Sequence, residues 1–267
     1  MLSKKLLTFV LIIGVISFST CKNKDVTFVQ LCDTQLGMGG YEHDKSTFKQ
    51  AVEQINEIAP DFVVVCGDLV HHAADSSFND YLTIRNQLNM PCYEAPGNHD
   101  IAKEPNTKTL EYYRSKIGSD YFSFEKNGFS FIIVNTQLWK SNVYQESNNH
   151  DEWFINELQN MAINNSPVII FGHYPLYTED PNEDEHYFNL PVNKRKELLA
   201  AFSENNVMAY LSGHKHERII NTYENIQLVT GETTSKNFDN RPFGFRVWNL
   251  SSDTAVHHFV PLNFNDE

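Results

Sequence analysis

The chain has 267 residues, of which 34 are Asp or Glu and 21 are Lys or Arg, so its formal net charge is -13 at pH 7. This length is enough for one large domain with a substantial hydrophobic core. A chain with no excess of cations gains no binding energy from releasing the counterions of a polyanion, so nucleic acid is not an expected partner.

The N-terminus predicts an export signal. Lys4 and Lys5 precede an apolar stretch from Leu6 to Phe18, which is too short to span a bilayer comfortably. Small residues then precede Cys21, and this pattern resembles a bacterial lipoprotein signal in which that cysteine becomes the lipidated first residue. We therefore expect residues 1–20 to be a signal peptide and the protein to be exported to the cell envelope. Simple secretion and an uncleaved anchor are the alternatives.

Strand-like and helical patterns alternate along the rest of the chain. The apolar runs that predict strands are Val26–Cys32, Phe62–Cys66, Cys92–Ala95, Tyr121–Phe124, Phe129–Asn135, Val168–Phe171, Val207–Leu211, Ile226–Thr230, Phe245–Leu250 and Val256–Val260. Helical spacing of apolar residues predicts helices over 46–59, 152–162 and 193–205. The alternation favours an α/β fold, and the strand-rich tail after Leu211 favours a second sheet region. No linker or repeat divides the chain, so we expect a single domain over residues 21–267.

Five of these strands are followed by polar side chains that can bind metals. The residues are Asp33, Asp68, the pair Asn98 and His99, His173, and the pair His214 and His216. In four of the five stretches a glycine comes directly before the polar residue, which lets the backbone turn sharply and approach a ligand closely. Each pattern alone is commonly an ordinary turn. In an open α/β sheet, however, side chains at the carboxyl ends of strands converge on one crevice.

The convergent side chains form a donor set for divalent cations. Three imidazoles, carboxylates and amide oxygens, without a thiolate, suit Mn, Fe, Zn or Co. His214 and His216 would point to the same side of an extended segment, so that each could address one of two neighbouring cations. Two cations roughly 3.5–4 Å apart are the usual clamp for displacement at phosphorus. Such a pair needs a bridging anion, which Asp68 is placed to supply.

The ordered set D-x-Q, GD, GNHD, GH and GHKH, which runs from residue 33 to residue 216, resembles the calcineurin-like metallophosphoesterase superfamily. Longer stretches, among them FVVVCGDLVH, DYFSFEKNGFSFIIVNTQ and HYPLYTEDPNEDEHYFNLP, resemble the branch that includes a vertebrate serine/threonine phosphatase. The resemblance implies a four-layer αββα sandwich of two mixed β-sheets flanked by helices. It also implies a site for two divalent metal ions at the edge of the sandwich.

The resemblance assigns roles to individual residues. The implied metal ligands are Asp33, Asp68 and His216 for one ion, and Asp68, Asn98, His173 and His214 for the other. His99 takes the position of the proton donor to the leaving group, and Asp100 that of the group which orients it. The family pattern further implies direct attack on phosphorus by a hydroxide held between the two metals.

Gln35 departs from the commonest pattern of the superfamily, in which a histidine completes the shell of the first metal. An amide oxygen donates less strongly than an imidazole nitrogen. As a ligand, Gln35 therefore predicts weaker binding of the first metal and a preference for Mg or Mn. Alternatively, Gln35 holds a water molecule that is bound to the metal.

The implied function is hydrolysis of a phosphoric ester, with a phosphomonoester of a protein or small metabolite as the favoured substrate. The nearest alternative is a phosphodiesterase that acts on nucleotides or lipid headgroups, because the same kind of site serves both reactions. A third hypothesis is a non-catalytic scaffold for protein interaction. It predicts lost ligands or a lost proton donor, whereas His99 and Asp100 are both present.

Two further stretches lie close to these residues in the sequence. The acidic segment Tyr177–Pro191, called the acidic loop below, has a solvated surface loop as its default interpretation. Because the segment follows His173 closely, a lid over the site is the competing hypothesis. His71 comes shortly after Asp68 and is expected near the site without binding metal.

Overall fold

The computed structural model describes residues 25–252 and 254–263. The predicted signal peptide of residues 1–20 and Cys21 lie outside the described residues. Within the described part of the chain, no helix has the length and apolar character needed to cross a membrane. The elements in chain order are β1 (Val26–Leu31), α1 (Tyr41–Ile58), β2 (Phe62–Cys66), α2 (Asp75–Arg85), β3 (Cys92–Ala95), α3 (Asn98–Ile101), α4 (Thr107–Lys116), β4 (Phe122–Lys126), β5 (Phe129–Ile133), α5 (Thr136–Lys140), α6 (Glu146–Ile163), β6 (Val168–Phe171), α7 (Val192–Glu204), β7 (Val207–Ser212), β8 (Ile219–Tyr223), β9 (Ile226–Thr230), β10 (Gly244–Ser251) and β11 (Thr254–Pro261).

The strands form two mixed sheets, with the orders β11-β10-β1-β2-β3 and β4-β5-β6-β7-β9-β8. In the first sheet β1 pairs in parallel with β2 and antiparallel with β10. In the second sheet β5, β6, β7 and β9 run parallel, and antiparallel strands β4 and β8 close the two edges. A second sheet is present, as expected, but the strands after Leu211 do not form it alone. Those strands are shared, since β8 and β9 extend the second sheet and β10 and β11 extend the first.

Side chains along the inner strands alternate between two hydrophobic cores, as the two-residue period of a strand requires. Val29 and Val63 pack with residues of α1, α2 and α4, whereas Phe28, Phe62 and Val64 pack against the second sheet. A third core lies between the second sheet and helices α6 and α7. The order is therefore helices, sheet, sheet, helices, which confirms the predicted αββα sandwich.

Phe28 lies at the centre of the core between the two sheets. Its ring stacks on Phe62 at 5.2 Å and on Trp248 at 5.9 Å between centroids. The rings of Phe131 and Phe171, which belong to the second sheet, meet it edge-on at 6.1 and 5.4 Å. Such pairs stabilise a fold by about 0.5–1.5 kcal/mol each beyond the area they bury. This cluster fixes one sheet relative to the other.

The predicted strands and the three predicted helices are present with bounds that differ by a few residues, and several short elements were missed. Helix α2 buries only Ser77, Phe78, Tyr81 and Ile84, so its apolar pattern is weak. Strand β8 is an edge strand whose residues alternate between half-buried and exposed. Both elements form because neighbouring elements cover one side of them, which local sequence does not reveal.

Candidate metal centre

The carboxyl ends of five strands, drawn from both sheets, meet at one edge of the sandwich. Strands β1, β2 and β3 lead into Asp33, Asp68 and Asn98, and strands β6 and β7 lead into His173, His214 and His216. All six side chains are buried. The structure thus brings the six residues together as the strand order of an α/β sheet predicts.

The backbone turns sharply where these side chains enter the site. Asp33 and Asp68 have φ values of 50° and 52°, and His214 and His216 have 70° and 54°. A positive φ is uncommon outside glycine and is found where surrounding structure compensates the strain. The expectation that His214 and His216 lie in an extended segment is therefore wrong, since β7 ends at Ser212 and the chain then bends.

Two glycines leave room for the side chains of the site. A Cβ on Gly67 would lie 2.5 Å from Nδ1 of His173, and the φ of Gly67 is 79°. A Cβ on Gly213 would lie 2.5 Å from Oδ2 of Asp33. Only a residue without a side chain fits at either position. The glycines before Asp68 and His214 thus allow strand ends from opposite sheets to approach each other.

The first candidate group consists of Asp33, Asp68 and His216, with one potential ligand atom from each lying within 4.8 Å of the others. Oδ1 of Asp33 is 3.4 Å from Nε2 of His216. The backbone N–H of His214 donates to both oxygens of Asp33, at 3.1 and 3.0 Å. Gln35 borders this group and donates from Nε2 to Oδ2 of Asp68 at 3.2 Å.

The second candidate group consists of Asp68, His173 and His214. Nε2 of His173 lies 3.3 Å from Oδ1 of Asp68 and 3.1 Å from Nδ1 of His214. The side-chain oxygen of Asn98 is 3.2 Å from the same Nε2. Four potential ligand atoms therefore face one small volume, and Asp68 belongs to both groups.

A backbone carbonyl fixes each of the three imidazoles. The bonds run from Nδ1 of His173 to Cys66 at 2.8 Å, from Nε2 of His214 to Tyr187 at 3.2 Å, and from Nδ1 of His216 to Lys236. A carbonyl only accepts hydrogen bonds, so in each ring this nitrogen carries a proton. The second nitrogen then faces the site, which is the arrangement typical of histidines that bind metals.

Asp68 and His173 shift each other's pKa. Burial raises the pKa of Asp68, but the charge and hydrogen bond of His173 outweigh burial and hold that pKa below its usual value. Burial lowers the pKa of His173, yet the facing carboxylate of Asp68 raises it to about 9. A cation that binds Nε2 of His173 competes with a proton for this atom, so metal affinity falls as the pH falls.

The donor set fits two divalent cations. Carboxylate, imidazole and amide groups without a thiolate suit Mn, Fe, Zn or Mg. Oε1 of Gln35 is buried and has no hydrogen-bond partner among the described residues, and a buried acceptor of this kind needs a donor or a cation. The two groups divide the side chains as the superfamily resemblance implies. Ligation by each residue remains a prediction.

His99 borders the second group. Its backbone N–H donates to Oδ1 of Asp68 at 2.9 Å. Nδ1 of its ring donates to the backbone oxygen of His71 at 2.8 Å, and the two imidazole rings stack with 4.7 Å between centroids. His71 thus orients His99, through its carbonyl group and its ring.

The predicted role of Asp100 as the group that orients the His99 ring needs correction. Oδ1 of Asp100 accepts the backbone N–H groups of Leu69 and Val70, at 2.8 and 3.1 Å. Its Oδ2 accepts the N–H of Gly97 at 2.8 Å. Asp100 therefore joins the loop after β2 to the loop after β3. It affects His99 through the backbone, and the contact that orients the ring comes from His71.

The acidic loop is folded against the site and is not simply a solvated surface segment. Glu183 accepts the backbone N–H groups of Thr178, Glu179 and Asp180. The fully buried Arg195 donates to four backbone oxygens of the loop, which belong to Asp180, Pro181, Glu183 and Leu190. These bonds carry the backbone oxygen of Tyr187 to within 3.2 Å of Nε2 of His214. This placement favours the competing hypothesis, in which the loop covers part of the site.

Sequence reasoning missed two features of the site. The carbonyl of His71 gives no sequence signal, because any residue type supplies one. Tyr187 belongs to the acidic loop, but nothing in the sequence indicates which residue of this loop reaches the site. Its hydroxyl lies 3.5 Å from Nδ2 of Asn98.

The fold and the paired carboxylate and imidazole groups at its strand ends define the class of metal-dependent phosphoesterases. The chain belongs to the calcineurin-like phosphoesterase family, which it matches over residues 26–218. It is similar to the serine/threonine-protein phosphatase CPPED1 of Danio rerio, with 30% identity over 88% of this chain and 84% of that protein. The Mus musculus protein of the same name is 31% identical over 88% of this chain and 84% of that protein. The fold is that of a dimetal phosphatase from Danio rerio, whose crystal structure matches with a TM-score of 0.69 at 14% identity, covering 88% of this chain and 95% of that one.

Proposed function

We propose that this protein is a metal-dependent phosphatase that hydrolyses phosphomonoesters. The observation that carries the proposal is the pair of candidate metal groups that share Asp68, with the ring of His99 beside them. The CPPED1 relatives, which are named serine/threonine-protein phosphatases, favour a monoester over a diester. A protein substrate and a small phosphorylated metabolite both suit this activity.

Bound metals would neutralise charge on the phosphoryl oxygens and acidify an attacking water. Asp33 and Asp68 would hold the ions, together with the three imidazoles and the oxygens of Asn98 and Gln35. Without cations the two carboxylates would repel a phosphate dianion. We further propose that the amide oxygen of Gln35 makes the first position favour Mg or Mn, since it donates less strongly than an imidazole.

His99 would supply the proton that the leaving group needs. With Nδ1 bound to the His71 carbonyl, Nε2 is the ring atom that can carry a second, transferable proton. In the reaction a water oxygen forms a bond to phosphorus, and the bond between phosphorus and the ester oxygen breaks. The ester oxygen takes the proton of His99 Nε2, and the proton lost by the water restores His99. The products are an alcohol and inorganic phosphate.

The test uses the full chain, stripped by a chelator and reloaded with Mn, Mg, Zn or Fe(II). We expect hydrolysis of p-nitrophenyl phosphate by wild type and loss of metal and activity in Asp68→Asn. The surface substitution Asp25→Asn makes the same chemical change at an exposed residue that precedes β1, at the opposite end of the strand from Asp33, and serves as the control. If wild type were as inactive as Asp68→Asn with every ion tested, the proposal would be overturned. A preference for bis(p-nitrophenyl) phosphate would instead support a phosphodiesterase.

His99→Ala tests the proton transfer. We expect kcat to fall by about 10²–10⁴-fold with phenyl phosphate, whose leaving group needs a proton. The loss should be smaller with p-nitrophenyl phosphate, because p-nitrophenolate leaves without one. Equal losses on both substrates would show that His99 does not act as the general acid.

We also propose that residues 1–20 are a signal peptide and that Cys21 carries a lipid which holds the protein in a bacterial cell envelope. The support is the sequence pattern alone, with Lys4 and Lys5 before a short apolar stretch. Expression in a bacterium fed with labelled palmitate should label wild type and leave Cys21→Ser unlabelled. Label on both proteins, or on neither, would contradict this proposal.

A further inference from the structure

A cavity of about 450 Å³ adjoins the candidate metal centre. Asn98 and His99 form the wall that it shares with the centre, and His71, Lys103 and Tyr187 line other parts of it. This volume suits a small molecule or one side chain of a peptide. Because His99 is placed to protonate the ester oxygen, the group attached to that oxygen would enter the space that His99 lines.

The charge of this cavity is opposite to that of the chain. The protein carries a net charge of -13, yet among the described residues no Asp or Glu lines the cavity. Its lining includes one lysine and three histidines, which are Lys103, His71, His72 and His99. Within residues 25–252 and 254–263, no carboxylate lies within ion-pairing distance of Lys103. The ammonium of Lys103 is therefore available to an anionic group of a ligand.

Tyr187 holds the far wall of the cavity in a fixed position. Its carbonyl is bound to His214 and its hydroxyl lies near Asn98. The ammonium of Lys103 lies 5.6 Å from the centre of the Tyr187 ring, a distance at which a cation is attracted to an aromatic face. The ring thus keeps the charge of Lys103 at the cavity, although the side chain is exposed.

We propose that this cavity binds the leaving group of a phosphomonoester that carries a second anionic group, and that Lys103 is the specificity-determining residue which contacts this anion. The inference rests on the proposed phosphatase activity and names the substrate class of the same site. A carboxylate or a second phosphate on the leaving group has the required chemistry. Tyr187 acts as a positioning residue for Lys103.

The test compares two aryl phosphates whose phenols have similar acidity, 4-methylphenyl phosphate and 4-(carboxymethyl)phenyl phosphate. The quantity measured is the ratio of kcat/KM for the anionic ester to that for the neutral ester. We expect wild type to prefer the anionic ester. In Lys103→Met this ratio should be about fivefold lower, which is the effect of one partly exposed charge contact. Lys103→Arg should keep most of the preference. Added salt should reduce the preference of wild type more than that of Lys103→Met.

Lys108→Met is the matched control, because Lys108 is exposed on α4 and its substitution removes the same charge. Its preference should equal that of wild type. Equal ratios in wild type and Lys103→Met would overturn the inference while leaving the phosphatase proposal intact. If wild type hydrolyses neither of these esters nor p-nitrophenyl phosphate, the phosphatase proposal fails. In that case, calorimetric titration of wild type with 4-methylphenol and with 4-hydroxyphenylacetate measures whether the cavity prefers the anionic leaving group. Equal affinities for the two phenols would overturn the inference.

Discussion

Asp100 gives the sharpest test of how the site is held together. Asp100→Asn replaces a carboxylate that accepts three backbone N–H groups, those of Leu69, Val70 and Gly97. An amide offers one acceptor oxygen in place of two. If that oxygen keeps the bonds to Leu69 and Val70, the amide NH₂ faces the N–H of Gly97, and two donors oppose each other in a buried position.

The expected loss of stability follows from these bonds. A buried N–H without an acceptor costs about 1–3 kcal/mol, and each of the two remaining bonds loses the extra strength of a charged acceptor, about 1 kcal/mol. The sum is about 3–5 kcal/mol, which lowers Tm by roughly 6–20 °C for a domain of this size. The loop after β2 carries Asp68, so metal affinity should fall in the same variant.

Thermal unfolding with a chelator present measures the stability of the metal-free protein, and calorimetric titration measures metal affinity. Asp25→Asn, on the surface, should change the free energy of unfolding by less than about 0.5 kcal/mol. If Asp100→Asn had an unchanged Tm and unchanged metal affinity but a lower kcat, Asp100 would act directly on the His99 ring. The backbone role described above would then be wrong.

Three further predictions concern other parts of the molecule. In calorimetric titration, Gln35→His should bind the more weakly held of the two metals about tenfold more tightly than wild type does, since an imidazole donates more strongly than an amide oxygen. Unchanged affinity would show that Gln35 does not face that metal. Phe28→Ala should lower the free energy of unfolding in urea by about 3–5 kcal/mol, because it leaves a cavity between the sheets, and a loss below about 1 kcal/mol would contradict the packing described. Burial raises the pKa of Glu183, but hydrogen bonds from Asn189 and from backbone N–H groups outweigh it and lower the pKa to about 2. The ionised form is therefore favoured by folding, so the stability advantage of wild type over Glu183→Gln should be full above pH 5 and should disappear as the pH falls towards 2. An advantage that does not change with pH would contradict this account.

Much of the fold could be predicted because apolar runs and glycine turns are local signals. The strands before Asp33, Asp68 and His173 have both faces buried, and such strands appear in the sequence as continuous apolar runs. The sequence does not indicate which sheet each strand after Leu211 joins, because sheet membership depends on long-range pairing. Strand β10 joins β1 across most of the chain, and no pattern within β10 indicates that partner.

The sequence predicts which side chains form the site, but it does not predict the backbone contacts that hold them. Side chains such as His214 and His216 carry a chemical signal in the sequence, and their positions after β7 follow from topology. Backbone atoms carry no such signal. The His71 carbonyl that holds His99, and the Tyr187 carbonyl that holds His214, depend on loop conformations. Those conformations are set by tertiary contacts such as the bonds of Arg195.

The site takes its side chains from both sheets, and this has a consequence for the protein as a whole. Asp33, Asp68 and Asn98 follow strands of one sheet, and His173 and His214 follow strands of the other. A cation bound between them would tie the two halves of the sandwich together at its edge. Ligand at about 1,000 times its dissociation constant adds about 4 kcal/mol to the stability of the folded state. By the same thermodynamic linkage, any substitution that lets the sheets shift apart should weaken metal binding, even far from the metal.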